Sequence, residues 1–303
     1  VESDRHELPI LLSASKLKLL LFRYIFLVIE FMPHSAYLLV AHGSRDPRPA
    51  EELTLLAQQV ARGLAAAARL LPVGASRWSE SPEVSTVPMV ATAFLELQPR
   101  PLHEEIVAVV REAIAAGYDE LCILPLFLLP GVHVMEDIPE EVAIAQAQIP
   151  ANFSLKLCSH FGSYGKLSQR MRSALPSQEG TRILLSHGSR RLGGNAPVEA
   201  LAEALGAIPA FWSVEPSLGE QVERQVSQNE QPSQEFTIIP YFLFSGGITD
   251  AIAQQQQELA TRFPARHFHS LPPLNQSFPL AQWIVDWITT DAQSDSTRRH
   301  REA

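Results

Sequence analysis

The chain has 303 residues, 46% of them hydrophobic, and carries 24 Lys+Arg against 33 Asp+Glu for a net charge of -9. That length allows one large domain or two of about 120 residues, with enough apolar sequence for packed cores. The acidic balance excludes a general nucleic-acid surface, which would be basic; the cysteines, Cys122 and Cys158, offer neither zinc spacing nor a disulfide framework and read as core thiols.

Leu17 to Met32 is apolar but interrupted by Lys18, Arg23 and Glu30, too short and too charged for a membrane span. No A-x-A-type cleavage site follows it. Met32 shortly precedes the first strand, so residues 1–34 are expected to be an extension that is disordered or not translated. Ala36 to Ala41 has strand composition, and His42-Gly43-Ser44 is a sharp exit from it. Asp46, Pro47 and Pro49 mark a helix start. Leu53, Leu56, Val60 and Leu64 recur at helical spacing, which predicts an amphipathic helix over Pro49 to Leu71. A loop follows to Glu83. A second strand lies within Val84 to Leu97 and ends near Glu96 and Pro99. A helix over Leu102 to Ala116 stops at Gly117.

Asp119 to Leu129 reads as a third, buried strand, stopped by Pro130 and Gly131. His133 stands just beyond it, and Asp137 is placed to cap a helix that starts near Ile138 and Pro139 and runs to Gln148. Phe153 to Cys158 is a fourth strand, and Tyr164 to Leu175 a closing helix. The alternation implies a parallel sheet covered on both faces. After a polar linker, Pro176 to Thr181, the pattern restarts. Arg182 to Arg190 (RILLSHGSR) mirrors Tyr37 to Arg45 (YLLVAHGSR). Ala210-Phe211-Trp212 mirrors Ala93-Phe94-Leu95, and Thr237 to Gly246 (TIIPYFLFSG) mirrors Cys122 to Gly131 (CILPLFLLPG). Arg266 to Leu271 is the last strand. Such self-similarity means duplication. The expected architecture is α/β: two tandem lobes, each a four-stranded parallel sheet with helices on both faces and a cleft between them. The first lobe spans 35–178 and the second 179–288. Residues 289–303, polar and charged, are expected to be disordered.

Ligands of open α/β sheets bind at the carboxyl ends of strands. His42, Glu96 and His133 all fall there in the first lobe. Two imidazoles and a carboxylate suit a divalent first-row metal. Each histidine can also be a polar residue satisfied by nearby backbone, and Glu96 a solvated loop carboxylate. An incomplete set, unlike the four closed ligands of structural zinc, suits a metal that arrives and leaves. The mirrored positions in the second lobe are His187, Ser213 and Ile248, which argues for one working site, in the first lobe. Gly43 and Ser44 at the helix opening offer backbone N–H groups to an anion. Arg45, Arg48, Arg190 and Arg191 add local positive charge. There is no P-loop, G-x-G-x-x-G or G-x-S-x-G.

AHGSRDPR, then FLEL with a following proline, then LPLFLLPGVHVMEDIP resemble the sirohydrochlorin chelatases of the CbiX/SirB type, in their long two-lobed form. These are class II chelatases, which need no ATP. The resemblance runs from Ser35 to the region of Val285. It implies a lyase, a ferrochelatase or cobaltochelatase. Such an enzyme inserts Fe²⁺ or Co²⁺, with nickel an alternative, into sirohydrochlorin for sirohaem or cobalamin. The metal is then a substrate, and no tightly bound cofactor is expected. Carried over by position, the metal-handling histidines fall on His42 and His133 and the acidic position on Glu96. Gly43, Ser44, Arg45, Leu129, Gly131 and Val132 are the expected substrate contacts. The same picture implies a cytoplasmic monomer with no membrane or nucleic-acid partner. Two rival readings use the same sequence: a metal or tetrapyrrole carrier without turnover, and a two-lobed binding protein that would not need the histidines.

Overall fold

The computed structural model describes residues 35–69, 88–176, 180–228 and 235–299, with side chains to residue 290. The expected extension, residues 1–34, and the expected lobe boundary at 178–179 lie outside the described residues. In the first lobe, β1 (Ser35–Ala41), α1 (Arg48–Arg69), β2 (Val90–Phe94), α2 (Leu102–Ala115), β3 (Glu120–Pro125), α3 (Ile138–Gln146), β4 (Ser154–Leu157) and α4 (Leu167–Ala174) follow one another. The second lobe repeats the order with β5 (Thr181–Ser186), α5 (Ala196–Leu205), β6 (Ala207–Phe211), α6 (Leu218–Gln228), β7 (Glu235–Pro240), α7 (Gly247–Arg262) and β8 (His267–Ser270). It closes with α8 (Leu274–Ser277) and α9 (Leu280–Arg299). The sheets have orders β2-β1-β3-β4 and β6-β5-β7-β8, and every pairing is parallel.

The central strands explain the layering. Every residue of β1 is buried, as a parallel strand covered on both faces requires. Side chains alternate across the pleat. Leu38 and Val40 enter an outer core with α2 and α3, while Tyr37 and Leu39 enter an inner core with α1. In the second sheet Ile183 and Leu185 turn outward, and Leu184 turns inward. The inner core is shared: α1, α4, α5 and α9 lie between the two sheets and contribute to one cluster. The lobes are therefore fused through apolar packing.

Polar contacts pin the same seam. Arg48 on α1 pairs with Asp250 on α7 at 2.6 Å and with Asp46 at 2.5 Å. Its guanidinium holds both carboxylates below the ordinary aspartate range. Arg48 therefore ties the lobes together and is not a spare cation awaiting a ligand. The Glu52 carboxylate accepts from Gln276 Nε2 at 3.1 Å, and Arg170 on α4 pairs with Asp286 on α9.

Four local expectations need correction. The third strand stops at Pro125, so Leu126 to Leu129 form loop instead of sheet. The first helix starts at Arg48, five residues beyond Gly43, and Asp46 Oδ1 already accepts from the Arg48 N–H at 3.0 Å. Gly43 and Ser44 therefore precede the helix and do not form its first turn. The closing helix of the first lobe is split into a 3₁₀ turn, Phe161–Ser163, and α4. The tail expected to be disordered continues α9 to Arg299. Trp283, Ile284, Trp287 and Ile288 bury one stripe of that helix at helical spacing. With the stem nucleated by packing, each further residue adds a hydrogen bond without a new nucleation cost, and neither Gly nor Pro interrupts residues 280–299.

Candidate metal centre

The backbone sets the first two candidate ligands, His42 and Glu96, side by side. Beyond β2 the ladder runs on: Leu95 N–H donates to Ala41 O and Glu96 N–H to His42 O, both at 2.9 Å. Gly43 lets the two chain exits close up. Its φ is +105°, and a Cβ there would sit 2.1 Å from Glu96 O, so only glycine fits. Immediately after Glu96, Leu97 takes φ 59°, a left-handed conformation that disfavours side chains.

The third candidate ligand, His133, comes from the segment beyond β3. Leu126 N–H donates to Val40 O at 2.7 Å, and the chain then leaves the sheet. From Val132 it turns helical, and His133–Asp137 form one π-helical turn that runs into α3, with Ile138 N–H donating to His133 O. Such π-turns recur at functional sites. Asp137 was expected to cap the next helix; it lies inside the helical run and makes no cap bond. Four residues apart on one face, His133 Nδ1 and Asp137 Oδ2 are 2.6 Å apart. A carboxylate that takes the Nδ1 proton fixes the tautomer and aims Nε2 outward, as partners of metal-bound histidine do.

His42 Nε2 and His133 Nε2 then meet at 3.1 Å, with the rings edge-on at 84°. His42 Nδ1 lies 3.2 Å from Gly43 O. With both Nδ1 protons so placed, the two Nε2 lone pairs face each other across a gap that a metal ion could bridge. A metal about 2.1 Å from each nitrogen would see the 3.1 Å pair at an angle of about 95°, a cis pair with its remaining positions open. Glu96 offers the third donor: one atom from each of His42, Glu96 and His133 lies within 4.8 Å of the others, and no other such group occurs among the described residues. Glu96 Oε1 is 4.0 Å from His133 Nδ1. Phe127 sits beneath the pair, its ring centroid 6.3 Å from each imidazole.

The pair opens into a cavity of about 910 Å³ between the lobes, at the upper end of the size of small-molecule sites, about 300–1,000 Å³. Leu126 to Gly131 wall it from the first lobe, and Tyr241, Phe242 and Leu243 from the second. Met135 and Leu192, both well exposed, line it from opposite lobes. Of the expected substrate contacts, Leu129 and Gly131 line the cavity; Gly43, Ser44, Arg45 and Val132 do not. Gly43 acts on Glu96 instead, and Ser44 Oγ accepts from the Asp46 N–H at 3.0 Å. Arg191 lines the cavity where Arg190 does not. The sequence reading missed Asp137 as the partner of His133. Its signal was the four-residue spacing on a helix.

The second lobe reproduces the frame but keeps only one of the three candidate donors. Ser213 N–H donates to His187 O at 2.9 Å, so Ser213 stands where Glu96 does. Tyr241 N–H donates to Leu185 O as Leu126 does to Val40 O, which puts Ile248 at the place of His133. His187 lines the same cavity as His42.

A family model described as CbiX matches residues 36–176 and 181–290, which is most of the chain and both lobes. The chain belongs to the CbiX family. Within and around that family, it is 26% identical over 199 residues to a sirohydrochlorin ferrochelatase of Bacillus subtilis (strain 168), covering 59% of this chain and 70% of the relative. The structure of SirB from Bacillus subtilis with Fe³⁺ superposes with a TM-score of 0.63 at 20% identity, over 87% of this chain and 98% of that one. SirB of Bacillus subtilis subspecies spizizenii in complex with cobalt gives 0.60 at 20% identity, over 87% and 97%. These likenesses establish for this CbiX chain the two-lobed α/β chelatase fold. No helix among its described residues is long and apolar enough to cross a membrane.

Proposed function

We propose that this CbiX chain inserts a divalent metal, Fe²⁺ or alternatively Co²⁺, into sirohydrochlorin without ATP. The observation that carries the reading is the convergence of His42, Glu96 and His133, the two histidines of which line an apolar cavity between the lobes. Insertion asks three things of a protein. The metal must shed water, the macrocycle must be held flat and close, and two pyrrole protons must leave. His42 and His133 replace part of the water shell with a cis pair of neutral nitrogen donors, and Asp137 keeps His133 in the right tautomer. Three donors, two of them exposed, leave coordination sites for the pyrrole nitrogens and let the ion depart. The metal is thus a substrate. Leu126 to Leu129 and Tyr241 to Leu243 present apolar surface to the ring from the two lobes. Arg191 supplies positive charge for the carboxylates of sirohydrochlorin.

In this reading the protein acts as a monomer, since one chain supplies both walls. It works in the cytoplasm, where thiols such as Cys122 and Cys158 stay reduced. An anaerobic absorbance time course of sirohydrochlorin with Fe²⁺ or Co²⁺, without ATP, tests it. Wild type should convert the free-ring spectrum to the metallated one over many turnovers, faster than the spontaneous reaction. His133→Ala should not. No acceleration with either metal would overturn the proposal and leave a carrier.

A further inference from the structure

We infer that His187, on the second-lobe side of the cavity, accepts the pyrrole N–H protons while the His42–His133 pair holds the metal on the opposite face of the ring. The inference rests on the chelatase reading and names a further catalytic residue for it.

The second lobe has kept an imidazole and given up what would make it a metal site. His187 leaves β5 as His42 leaves β1, with Nδ1 3.1 Å from Gly188 O against 3.2 Å from Gly43 O in the first lobe. That contact directs Nε2 away from the backbone in both. Ser213, in the place of Glu96, donates its hydroxyl to His187 O at 2.8 Å. Ile248, in the place of His133, packs against the outer core of its lobe. A lone imidazole with a hydroxyl neighbour is a poor metal site and a sound base. Elimination points the same way. Among the second-lobe residues that line the cavity, Arg191 is a permanent cation, and the buried Tyr241 is held in its phenol form by desolvation. The rest of that wall is apolar, glycine or serine, so His187 is its one side chain with a lone pair suited to a general base.

Geometry assigns the face. A metal that comes onto the ring from the first-lobe side occupies that face as its bonds to nitrogen form. The two N–H protons then leave from the other. The balance is simple: one M²⁺ and one ring with two N–H groups give the metallated ring and two H⁺. Each N–H electron pair stays on nitrogen and becomes a metal–nitrogen bond. His187 Nε2 takes one proton, passes it to water through its exposed edge, and takes the second. No oxidant or co-reactant is needed.

The test compares wild type, His187→Ala and His187→Gln with Co²⁺. Three readings are taken: Co²⁺ affinity from visible absorption without tetrapyrrole, sirohydrochlorin affinity from fluorescence quenching without metal, and single-turnover insertion. Both affinities should stay within about twofold of wild type, and the insertion rate should fall by about 10²–10⁴, the range of a lost general base. Added imidazole should restore part of the rate in His187→Ala. Insertion at the wild-type rate in both variants would overturn the role. So would a loss traced wholly to weaker sirohydrochlorin binding with the bound-state rate unchanged. Failure of wild type to insert metal is a different result: it removes the chelatase reading, and this role with it.

Discussion

The two lobes end their central strands in the same way and use those ends differently. Each presents a histidine followed by a left-handed glycine, Gly43 at φ +105° and Gly188 at φ +83°. Each ties that histidine's carbonyl to the neighbouring strand at 2.9 Å. In the first lobe the tie delivers a carboxylate and the next loop delivers a second imidazole. In the second lobe the same rungs deliver Ser213 and Ile248. The frame is thus separable from the chemistry. Backbone hydrogen bonds decide where a side chain stands, and the residue at that place decides whether a metal can be held.

The largest expected effect comes from removing what only the first lobe has. His133→Ala should reduce Co²⁺ affinity by more than the roughly 10–100-fold that a ligand's outer partners command, as read by titration in visible light. Retention of wild-type affinity would mean that the cavity binds metal elsewhere. Next is Asp137→Asn, which keeps the shape and loses the charge. It should weaken Co²⁺ by roughly 10–100-fold. Its Tm should stay within about 2 °C, because the side chain is 41% exposed. An unchanged affinity would reduce the 2.6 Å contact to decoration.

The paired glycines allow a direct test of the frames. Alanine at either position forces a left-handed backbone, at a cost of about 1–3 kcal/mol in urea unfolding. Gly43→Ala should cost more, because its Cβ meets the Glu96 carbonyl at 2.1 Å. At Gly188 the nearest atoms are farther off and belong to side chains, Val214 Cγ2 at 2.7 Å and Phe211 Cβ at 2.9 Å. Equal losses would mean that the first-lobe exit is no tighter than its copy. Smallest is relief of strain at Leu97, the one non-glycine residue at positive φ among the described residues. Leu97→Asn should gain up to about 1 kcal/mol. Val214→Asn, at the matching place in the second lobe, should gain nothing.

Much of the frame was legible because buried parallel strands are continuous apolar runs and the duplication exposes its own register. The pairing of Glu96 with Ser213 and of His133 with Ile248, read from the repeat, matches the backbone rungs of the structure. What could not be read has a physical pattern. Leu126 to Leu129 look like strand because a wall built for an apolar ligand has the composition of a core. Asp137 looks like a cap because an acidic residue just before a proline-led helix usually is one. The π-turn that moves it inside depends on a one-residue shift in hydrogen bonding. The neutralisation of Arg48 by Asp250 joins residues from different lobes, and no local pattern announces it.

The shared helical layer has a further consequence. Two identical chains related by a twofold axis must show each other the same surface, so every ligand on one wall of such a cavity would recur on the other. Here α1 and α9 join the halves within one polypeptide, and that constraint is lifted. One wall can specialise in the ion and the other in the ring. The cavity also closes by an intramolecular contact, so dilution that would dissolve a two-chain version leaves this one assembled.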